Sequence, residues 1–299
     1  MTDTVKQFRS GFAAIIGAPN AGKSTLLNRL LGEKISITSK KPQTTRNRIL
    51  GIHHGPAAQI IFVDTPGVHK AKGRLNELIV ETAVSAMADV DIILIVADIS
   101  RHDQNSEEFI LKHLNKEKRP VVLALNKIDL VTREKVLKGI DKWSGLYPFN
   151  AIAPVSAKNG SQVNDLPAIL ERLLPEGPPL FPEDSLTDQP ERFIAAEMIR
   201  EKVFRLTGQE LPYSTAVTID SFSEAKKGGL IKIEAVIHVE RNSQKGMIIG
   251  KQGAKLKQIG QDAREEIERM LQTKVFLKLF VRVQKNWSRD TKALRKLGY

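Results

Sequence analysis

Short apolar runs alternate with longer amphipathic stretches from Phe12 to Leu174. The apolar runs are nearly continuous, as in strands buried on both faces, and cover residues 12–17, 60–64, 91–98, 121–126 and 151–156. The stretches between them repeat apolar residues at helical spacing, near residues 23–31, 75–87, 105–114, 133–147 and 163–174. This alternation predicts an α/β domain in which a mostly parallel sheet is flanked by helices. One more strand, near residues 48–54, is predicted to pair at an edge of the sheet.

A proline-rich segment follows this pattern. Residues 175–190, PEGPPLFPEDSLTDQP, contain five prolines. Because proline lacks a backbone donor and fixes its own φ, the segment can neither extend a helix nor fill a central strand. We predict a stiff, extended linker. The predicted domains are therefore residues 1–174 and 191–299, with residues 175–190 between them.

Beyond the linker the pattern changes. A helix is predicted over residues 191–206, followed by two alternating stretches, residues 213–222 and 230–240. A Lys-Lys-Gly-Gly turn at residues 226–229 predicts that these two strands form a hairpin. A short helix, a longer helix and a strand then follow, near residues 243–249, 254–272 and 274–284. The predicted order, α-β-β-α-α-β, indicates a separate α+β domain.

Length and composition agree with a soluble protein of two domains. The chain has 299 residues, of which 41% are hydrophobic, and it contains no cysteine. Disulfides and cysteine-ligated metal sites are therefore excluded, which suits a reducing cytosol. The N-terminal residues lack an apolar signal region, and the longest apolar run, Ile92–Ala97, is too short to span a bilayer. We expect a cytoplasmic protein that is at most peripheral to the inner face of the cell membrane.

Positive charge is concentrated near the C-terminus. Residues 241–299 hold 15 Lys or Arg against 5 Asp or Glu, a net charge of +10, whereas the whole chain carries +12. A local basic block favours a polyanionic partner, either nucleic acid or an anionic membrane surface. On charge alone, an ordinary solvated surface explains the block equally well.

The first apolar strand leads into a phosphate-binding sequence. It matches the GxxxxGK[ST] pattern and comprises Gly17, Ala18, Pro19, Asn20, Ala21, Gly22, Lys23 and Ser24, with Thr25 directly after. Glycines let backbone N–H groups converge on a triphosphate, and the helix that follows adds its dipole. Lys23 is predicted to bridge the β- and γ-phosphates, and the Ser24 hydroxyl to bind Mg²⁺. The pattern follows a strand and opens a helix, which disfavours a mere glycine-rich turn.

A second phosphate-site candidate ends the strand at residues 60–64. Asp64 is placed to hold Mg²⁺ through water, and the backbone N–H of Gly67 could meet the γ-phosphate. The predicted nucleotide site at this point is completed by Thr65, Pro66 and Val68. A DxxG sequence alone is also compatible with a simple exit from a strand.

Two further strand ends carry residues suited to guanine. Asp129, in Asn126-Lys127-Ile128-Asp129, can accept hydrogen bonds from the guanine N1–H and exocyclic amine, whereas adenine offers no matching donors. Ser156, Ala157 and Lys158 end the next strand and are predicted to support the base from the other side. Ligands of such sheets bind outside the carboxyl ends of the strands, where all these residues fall.

The second domain contains a GXXG loop between two predicted helices. The candidate RNA-binding residues are Ile248, Ile249, Gly250, Lys251, Gln252, Gly253, Lys255 and Lys257. Two glycines let the backbone approach phosphates, and the lysines supply charge. A helix C-cap with a turn would also explain GXXG, but the flanking helices, the element order and the local charge favour RNA binding. Phe276 and Phe280, on the last strand, are predicted to lie in the core.

The motifs GAPNAGKS, PQTTR and DTPGV resemble those of the TrmE–Era–septin group of translation-linked GTPases. With the second domain included, the whole chain resembles the Era family of bacterial ribosome-assembly GTPases, and the second domain resembles a type II KH domain. The resemblance implies GTP or GDP and Mg²⁺ as ligands, and the 3′ end of the small-subunit ribosomal RNA as partner. It also implies that Thr45, with Thr44 as the alternative, binds Mg²⁺, and that Asn20 is a candidate K⁺ ligand.

The predicted catalytic residues are Lys23, Thr45 and Gly67. Val68 stands where Ras-like enzymes have a water-positioning glutamine, so slow intrinsic hydrolysis is expected. The segment 34–48 is polar and basic, and is expected to be mobile until γ-phosphate orders it and residues 65–87.

Three hypotheses about function remain open. The first is a monomeric GTPase, with no DNA partner, that couples its nucleotide state to RNA binding during assembly of the small (30S) subunit. The second is an RNA-binding module in which hydrolysis is negligible or only a slow timer. The third is a GTPase recruited to membranes by its basic C-terminal segment, residues 285–299, which includes Trp287.

Overall fold

The computed structural model describes residues 7–39, 45–67, 85–86, 88–114, 118–207, 211–223 and 229–298. These residues form two compact units, and the chain passes from the first to the second between Asp188 and Gln189. Within the described part of the chain, no helix is both long and apolar enough to cross a bilayer.

The first unit is an α/β domain around a six-stranded sheet. Its elements are β1 (Arg9–Ile16), α1 (Lys23–Leu31), β2 (Ile49–His54), β3 (Ala58–Asp64), β4 (Ile92–Asp98), α2 (Gln104–Leu114), β5 (Val121–Asn126), α3 (Arg133–Leu146), β6 (Ala151–Pro154) and α4 (Asp165–Glu171). The strand order is β2-β3-β1-β4-β5-β6. All neighbours are parallel except β2 and β3. The predicted sheet and its edge strand are confirmed, whereas the helix predicted at 75–87 falls almost wholly outside the described residues.

Continuous apolar runs become central strands because helices cover both faces of the sheet. Every residue of β3 and β5 is buried. One cluster of buried side chains joins Ile16, Ile95 and Leu123 from three neighbouring strands. This packing holds the carboxyl ends of the strands in place, and those ends carry the predicted nucleotide-binding residues.

The proline-rich segment is packed against the first unit rather than standing free as a spacer. The buried amide of Gln59 accepts from the backbone N–H groups of Leu180 and Phe181, at 2.7 and 2.9 Å. Farther along, the backbone N–H of Ile52 in β2 donates to the carbonyl of Leu186 at 2.9 Å. The segment therefore lies along the edge strand β2 and satisfies backbone groups that an open edge would leave exposed.

The second unit contains a three-stranded sheet and helices. Its elements are α5 (Glu191–Leu206), β7 (Ala216–Ser223), β8 (Ile231–Val239), α6 (Asn242–Ile249), α7 (Ala254–Leu271), β9 (Val275–Val283) and α8 (Thr291–Lys296). The strand order is β7-β8-β9, with β7 antiparallel and β9 parallel to β8. The predicted α-β-β-α-α-β order and the pairing of the first two strands are confirmed. Of the turn at 226–229, only Gly229 is among the described residues.

The two faces of this second sheet differ. Ile233, Ala235 and Ile237 of β8 pack into a core that includes residues of α5 and α7. On β9, alternate residues Leu277 and Leu279 pack against the same core. The prediction that Phe276 and Phe280 are core residues is wrong: they lie on the opposite face and are 52% and 43% exposed. Both faces of β9 carry large apolar residues, so alternation alone did not identify the inner face.

The C-terminal segment is folded onto the second unit. Trp287 is fully buried, and its ring N–H donates to the carbonyl of Ser214 at 3.2 Å. Leu294, in α8, is also buried. The apolar side chains that suggested a membrane-binding segment are therefore used in packing.

Residues 37–39 group with the second unit although they follow α1 in sequence. Within that unit, the buried carboxylate of Glu201 accepts hydrogen bonds from the backbone N–H and the hydroxyl of Thr38, both at 3.1 Å. Arg205 also donates to Glu201, at 2.6 Å. A buried carboxylate needs hydrogen-bond donors, and here Thr38 and Arg205 supply three of them.

Candidate nucleotide and RNA sites

The phosphate-binding loop connects β1 to α1, as predicted. Gly22 starts α1 with φ at 101°, and a Cβ there would collide with the side-chain amide of Asn126. The buried ammonium group of Lys23 donates to the carbonyls of Gly17 and Ala18, at 3.0 Å each. Burial lowers the pKa of Lys23 to about 8, and the nearby Asp64 carboxylate opposes this shift. The loop thus holds a desolvated cation beside the backbone groups that would meet phosphates.

The three predicted Mg²⁺ ligands lie together. The Ser24 hydroxyl donates to Oδ2 of Asp64 at 2.8 Å and lies 2.8 Å from the Thr45 hydroxyl. Asp64 is fully buried, and its other oxygen, Oδ1, has no hydrogen-bond partner among the described residues. Burial raises the pKa of Asp64, against hydrogen bonds from Ser36 and Ser24. Two hydroxyls and a carboxylate are hard oxygen donors, so the residues present fit Mg²⁺. Thr44, the alternative to Thr45, lies outside the described residues.

Two residues of this site were missed by the sequence analysis. The Ser36 hydroxyl donates to Oδ2 of Asp64 at 2.7 Å. The side chain of Asn28, on α1, holds that segment by accepting from the backbone N–H groups of Ile35 and Ser36 at 3.1 and 3.0 Å, and donating to the Ser36 carbonyl at 2.7 Å. No motif marks these residues, because their role depends on a turn between α1 and β2.

The same contacts show that parts of residues 34–48 are packed in the structure, and the mobility expected without nucleotide stays a prediction. Ile35, Ser36 and Ile37 are buried, and so are Thr45 and Arg46 on the other side of the segment. The apolar side chains of Ile35 and Ile37 explain this, since exposing them to water would be unfavourable. Residues 40–44 are not among the described residues.

Asn126 connects three loops of the candidate base site. Its side-chain N–H donates to the carbonyl of Ala21 at 2.7 Å. Its side-chain oxygen accepts from the backbone N–H groups of Lys127 and Ala157, at 2.8 and 2.9 Å. Asn126 is buried, so water cannot hydrogen-bond to its amide. Without these three hydrogen bonds the buried polar groups would be left unpaired, at a cost in free energy. One amide therefore fixes the phosphate loop relative to both base-recognition loops.

The carboxylate of Asp129, the candidate for base recognition, is positioned by the neighbouring loop. The Ser156 hydroxyl donates to Oδ1 of Asp129 at 2.5 Å. Lys127 adopts φ of 69°, and its ammonium contacts Asp98 at 2.5 Å. Arg29, on α1, donates to the carbonyl of Lys158 at 2.7 Å. The structure thus brings together Asn126, Lys127, Asp129, Ser156, Ala157 and Lys158, as the prediction required.

The segment after β3 packs against the phosphate loop. The Thr65 hydroxyl donates to the carbonyl of Ile15 at 2.7 Å. A Cβ on Gly67 would lie 2.8 Å from Cα of Pro19, so this close approach requires glycine. Asn20, the candidate K⁺ ligand, adopts φ of 63° in the phosphate loop. Val68 lies outside the described residues, as do most of residues 65–87.

The GXXG loop lies between α6 and α7. Gly250 and Gly253 have φ of 71° and 79°, and a Cβ on Gly250 would lie 2.8 Å from Cβ of Lys255. Ile248 is fully buried beneath the loop, Ile249 is half-buried, and Lys251 is exposed. Gln252 and Lys257 are also exposed, and Lys255 is half-buried. The loop therefore presents backbone groups and lysines to solvent on a buried apolar support.

Both units match known protein families. The family model described as "50S ribosome-binding GTPase" matches residues 12–127, and the model described as "KH domain" matches residues 210–288. The chain is 56% identical to GTPase Era of Geotalea uraniireducens over 296 residues, covering 99% of each protein. It is 57% identical to GTPase Era of Geobacter metallireducens over 292 residues, covering 98% of each.

Solved structures agree with these relatives. A crystal structure of Era in complex with MgGDPNP and nucleotides 1506–1542 of 16S ribosomal RNA aligns with a TM-score of 0.94 and 41% identity, covering 98% of this chain and 99% of that one. A variant of Aquifex aeolicus Era bound to GDP·AlF4⁻ aligns with a TM-score of 0.93 and 40% identity, over the same shares of the two chains.

Proposed function

The chain belongs to the Era family of GTPases, and from this membership we propose that it is a cytoplasmic switch that hydrolyses GTP and controls binding to the RNA of the small ribosomal subunit. The observation that carries the nucleotide half is the convergence of Lys23, Ser24, Thr45 and Asp64 within hydrogen-bonding distance of one another or of the phosphate loop. The RNA half rests on the GXXG loop and on the RNA seen in the related Era complex. We infer that it acts in assembly of the small subunit.

Different groups of the site would bind the phosphates and the Mg²⁺. Lys23 would leave the carbonyls of Gly17 and Ala18 and place its ammonium on the β- and γ-phosphates. Ser24, Thr45 and Asp64 would hold Mg²⁺, which neutralises charge that develops on the phosphates when it is bound. The backbone N–H of Gly67, in a segment that lies close to Pro19, would donate to the γ-phosphate. These groups orient the triphosphate, and water positioning is left to the backbone, another residue or a partner.

Guanine selection rests on Asp129. Its carboxylate, oriented by Ser156, accepts from two donors that only guanine presents together. A site built to hydrogen-bond such donors rejects analogues that lack them, because the carboxylate would then remain unpaired. GTP and GDP are therefore the ligands we propose, with K⁺ at Asn20 as a further cofactor. Faster turnover in K⁺ than in Na⁺, lost in Asn20→Ala, would support the K⁺ assignment, and equal rates would contradict it.

Coupling between nucleotide and RNA requires a segment that both sites influence. The segment between α1 and β2 meets this requirement within the described residues. Ser36 holds Asp64, and Thr45 contacts Ser24, whereas residues 37–39 group with the second unit through Glu201. We propose that γ-phosphate, by rearranging Thr45 and Ser36, changes the hydrogen bonds of Thr38 and so the RNA affinity of the KH domain.

The test is GTP turnover of the purified protein in potassium buffer, with and without a single-stranded RNA from the 3′ end of the small-subunit ribosomal RNA. A clear rise in turnover with RNA supports coupling. RNA binding without any rise, and with equal affinity in GDP and in a non-hydrolysable GTP analogue, would contradict it. Glu201→Gln, compared with Glu191→Gln at the exposed start of α5, should weaken the difference in RNA affinity between the two nucleotide states.

An RNA-binding module with hydrolysis only as a slow timer is the second candidate, favoured by Val68 in place of glutamine. Turnover that stays very slow with RNA and with small ribosomal subunits would support it. Recruitment to membranes loses the apolar part of its basis, because Trp287 and Leu294 are buried. Sedimentation with anionic liposomes at physiological salt should therefore leave the protein in the supernatant.

A further inference from the structure

The outward face of β9 carries an alternating pattern of aromatic and basic side chains. Phe276, Lys278, Phe280 and Arg282 are all exposed, whereas the residues between them pack toward the core. The ammonium of Lys278 lies 4.8 Å from the ring centroid of Phe280. Two large aromatic side chains exposed on the same face of one strand are unusual, because burying them would be favourable.

We propose that this face of β9 is a second RNA-binding surface, on which Phe276 and Phe280 stack bases and Lys278 and Arg282 contact phosphates. The proposal rests on the proposed RNA-binding function but concerns a different part of the domain from the GXXG loop. Bases stack on exposed aromatic rings irrespective of sequence, and interleaved basic residues follow the backbone of a single strand. Residues four apart on a strand are about 13 Å from each other, so the two rings would hold separate bases.

Charge favours RNA over a protein partner. The side chains around the two rings are four basic and two acidic, namely Lys232, Lys245, Lys278, Arg282, Asp220 and Glu234. One acidic group, Glu234, is already paired with Lys278 at 3.5 Å. The excess of positive charge around aromatic rings suits a polyanion with stacking bases, and an apolar protein surface would gain nothing from it.

This face of β9 is continuous with the side of the domain that carries the GXXG loop. A shallow groove is lined by Phe280 and Arg282 of β9 together with Asn242 and Lys245 of α6. The GXXG loop begins at the end of that same helix, at Gly250. Because β9 is an edge strand, an RNA strand leaving the loop along α6 can pass around the edge onto the outward face.

The experiment measures the affinity of the full-length protein for two single-stranded RNAs. One has about five nucleotides, enough for the four that a GXXG loop clamps, and the other has about twenty. The double variant Phe276→Ser/Phe280→Ser should bind the long RNA at least about tenfold more weakly, because each stacked base is lost, and bind the short RNA as the wild type does. Leu230→Ser is the matched control, since Leu230 is an exposed apolar residue of the same unit. An unchanged affinity for the long RNA in the folded double variant would overturn the proposal.

A second variant tests the same face without removing apolar groups. Lys278→Ala/Arg282→Ala should lower the slope of log affinity against log salt by about 1.4 for the long RNA, because two phosphate contacts are lost. An unchanged slope would contradict the proposal. If Lys251→Ala/Lys257→Ala left binding of both RNAs unchanged, the GXXG assignment and the proposed function would fail instead. If the Phe variant lost only its binding to intact small ribosomal subunits, the face would belong to a protein contact and the RNA proposal would be overturned.

Discussion

The candidate nucleotide site and the two proposed RNA-binding surfaces are built in opposite ways. Lys23, Asp64 and Asn126 are buried, and each is hydrogen-bonded to other residues of the site. Lys251, Lys257 and the two outward phenylalanines are exposed and fixed mainly by the backbone that carries them. The buried site depends on a few mutually constrained groups, so single substitutions should have large effects. The exposed surfaces sum many small contacts, so each substitution should have a small effect that salt can modulate.

The largest expected effect is a change of base preference. Asp129→Asn should lower affinity for GTP relative to xanthosine triphosphate by about 10³-fold or more, because an amide cannot accept from two donors but can donate to the second carbonyl of xanthine. Titration with fluorescent nucleotides measures both affinities. Asp141→Asn, an exposed acidic residue of α3, is the control. If Asp129→Asn kept the preference for GTP, Asp129 would not recognise the base. The expectation that single substitutions in the nucleotide site have large effects would then be wrong for this residue.

A smaller but still large effect is expected for the amide that joins three loops. Asn126→Ala should reduce the free energy of unfolding of the nucleotide-free protein by about 2–4 kcal/mol, because it leaves a buried carbonyl, a buried N–H and a partly buried N–H without their partner. Thermal or urea unfolding followed by circular dichroism provides the measurement. Asn164→Ala serves as the comparison, since Asn164 is exposed and makes no side-chain cap hydrogen bond, and should change stability by less than about 0.5 kcal/mol. If the two variants were equally stable, the hydrogen bonds of Asn126 would not be what holds the three loops together.

The exposed site should respond more weakly. Lys251→Ala should reduce affinity for single-stranded RNA by about 1 kcal/mol and lower the salt slope by about 0.7, without altering the affinity for GTP. Filter binding at several salt concentrations measures both quantities. Lys138→Ala, at an exposed lysine of the first unit, should leave RNA affinity unchanged. A large loss of GTP binding in Lys251→Ala would show that the two sites are not built as separately as we infer.

The smallest expected effect is the uptake of a fraction of a proton by Lys23 when the nucleotide binds. The folded-state pKa of Lys23, about 8, lies below its ordinary value of 10.5 because the ammonium is buried. In the nucleotide-free protein this shift makes the free energy of unfolding rise with pH between those two values. Bound triphosphate favours the ammonium, so binding at pH 8 should take up about half a proton, and less at pH 7. Calorimetry in buffers of different ionisation enthalpy measures the uptake. Uptake that does not change between pH 7 and 8.5 would contradict a buried, shifted Lys23.

Most of the architecture was predictable because it depends on local patterns. Buried parallel strands require continuous apolar runs, so β1, β3, β4, β5 and β6 were all recognised from such runs. The candidate phosphate and guanine residues could be named from the sequence because their chemistry requires fixed residue types at strand ends. The element order of the second unit followed from its alternating strands, its helical spacing and its glycines.

The tertiary structure decided what depends on contacts between distant segments. Ser36 reaches the candidate metal site, and Asn28 holds it there, only because the turn after α1 folds back onto Asp64. The proline-rich segment packs on β2 because Gln59 and the edge strand supply partners for its backbone. Phe276 and Phe280 face outward because the helices cover the other side of β9, and alternation in a strand with apolar residues on both faces is the same whichever side is inside. Local sequence determines which elements form and which chemistry they carry, whereas the side chains that meet across the chain are fixed only when the elements pack.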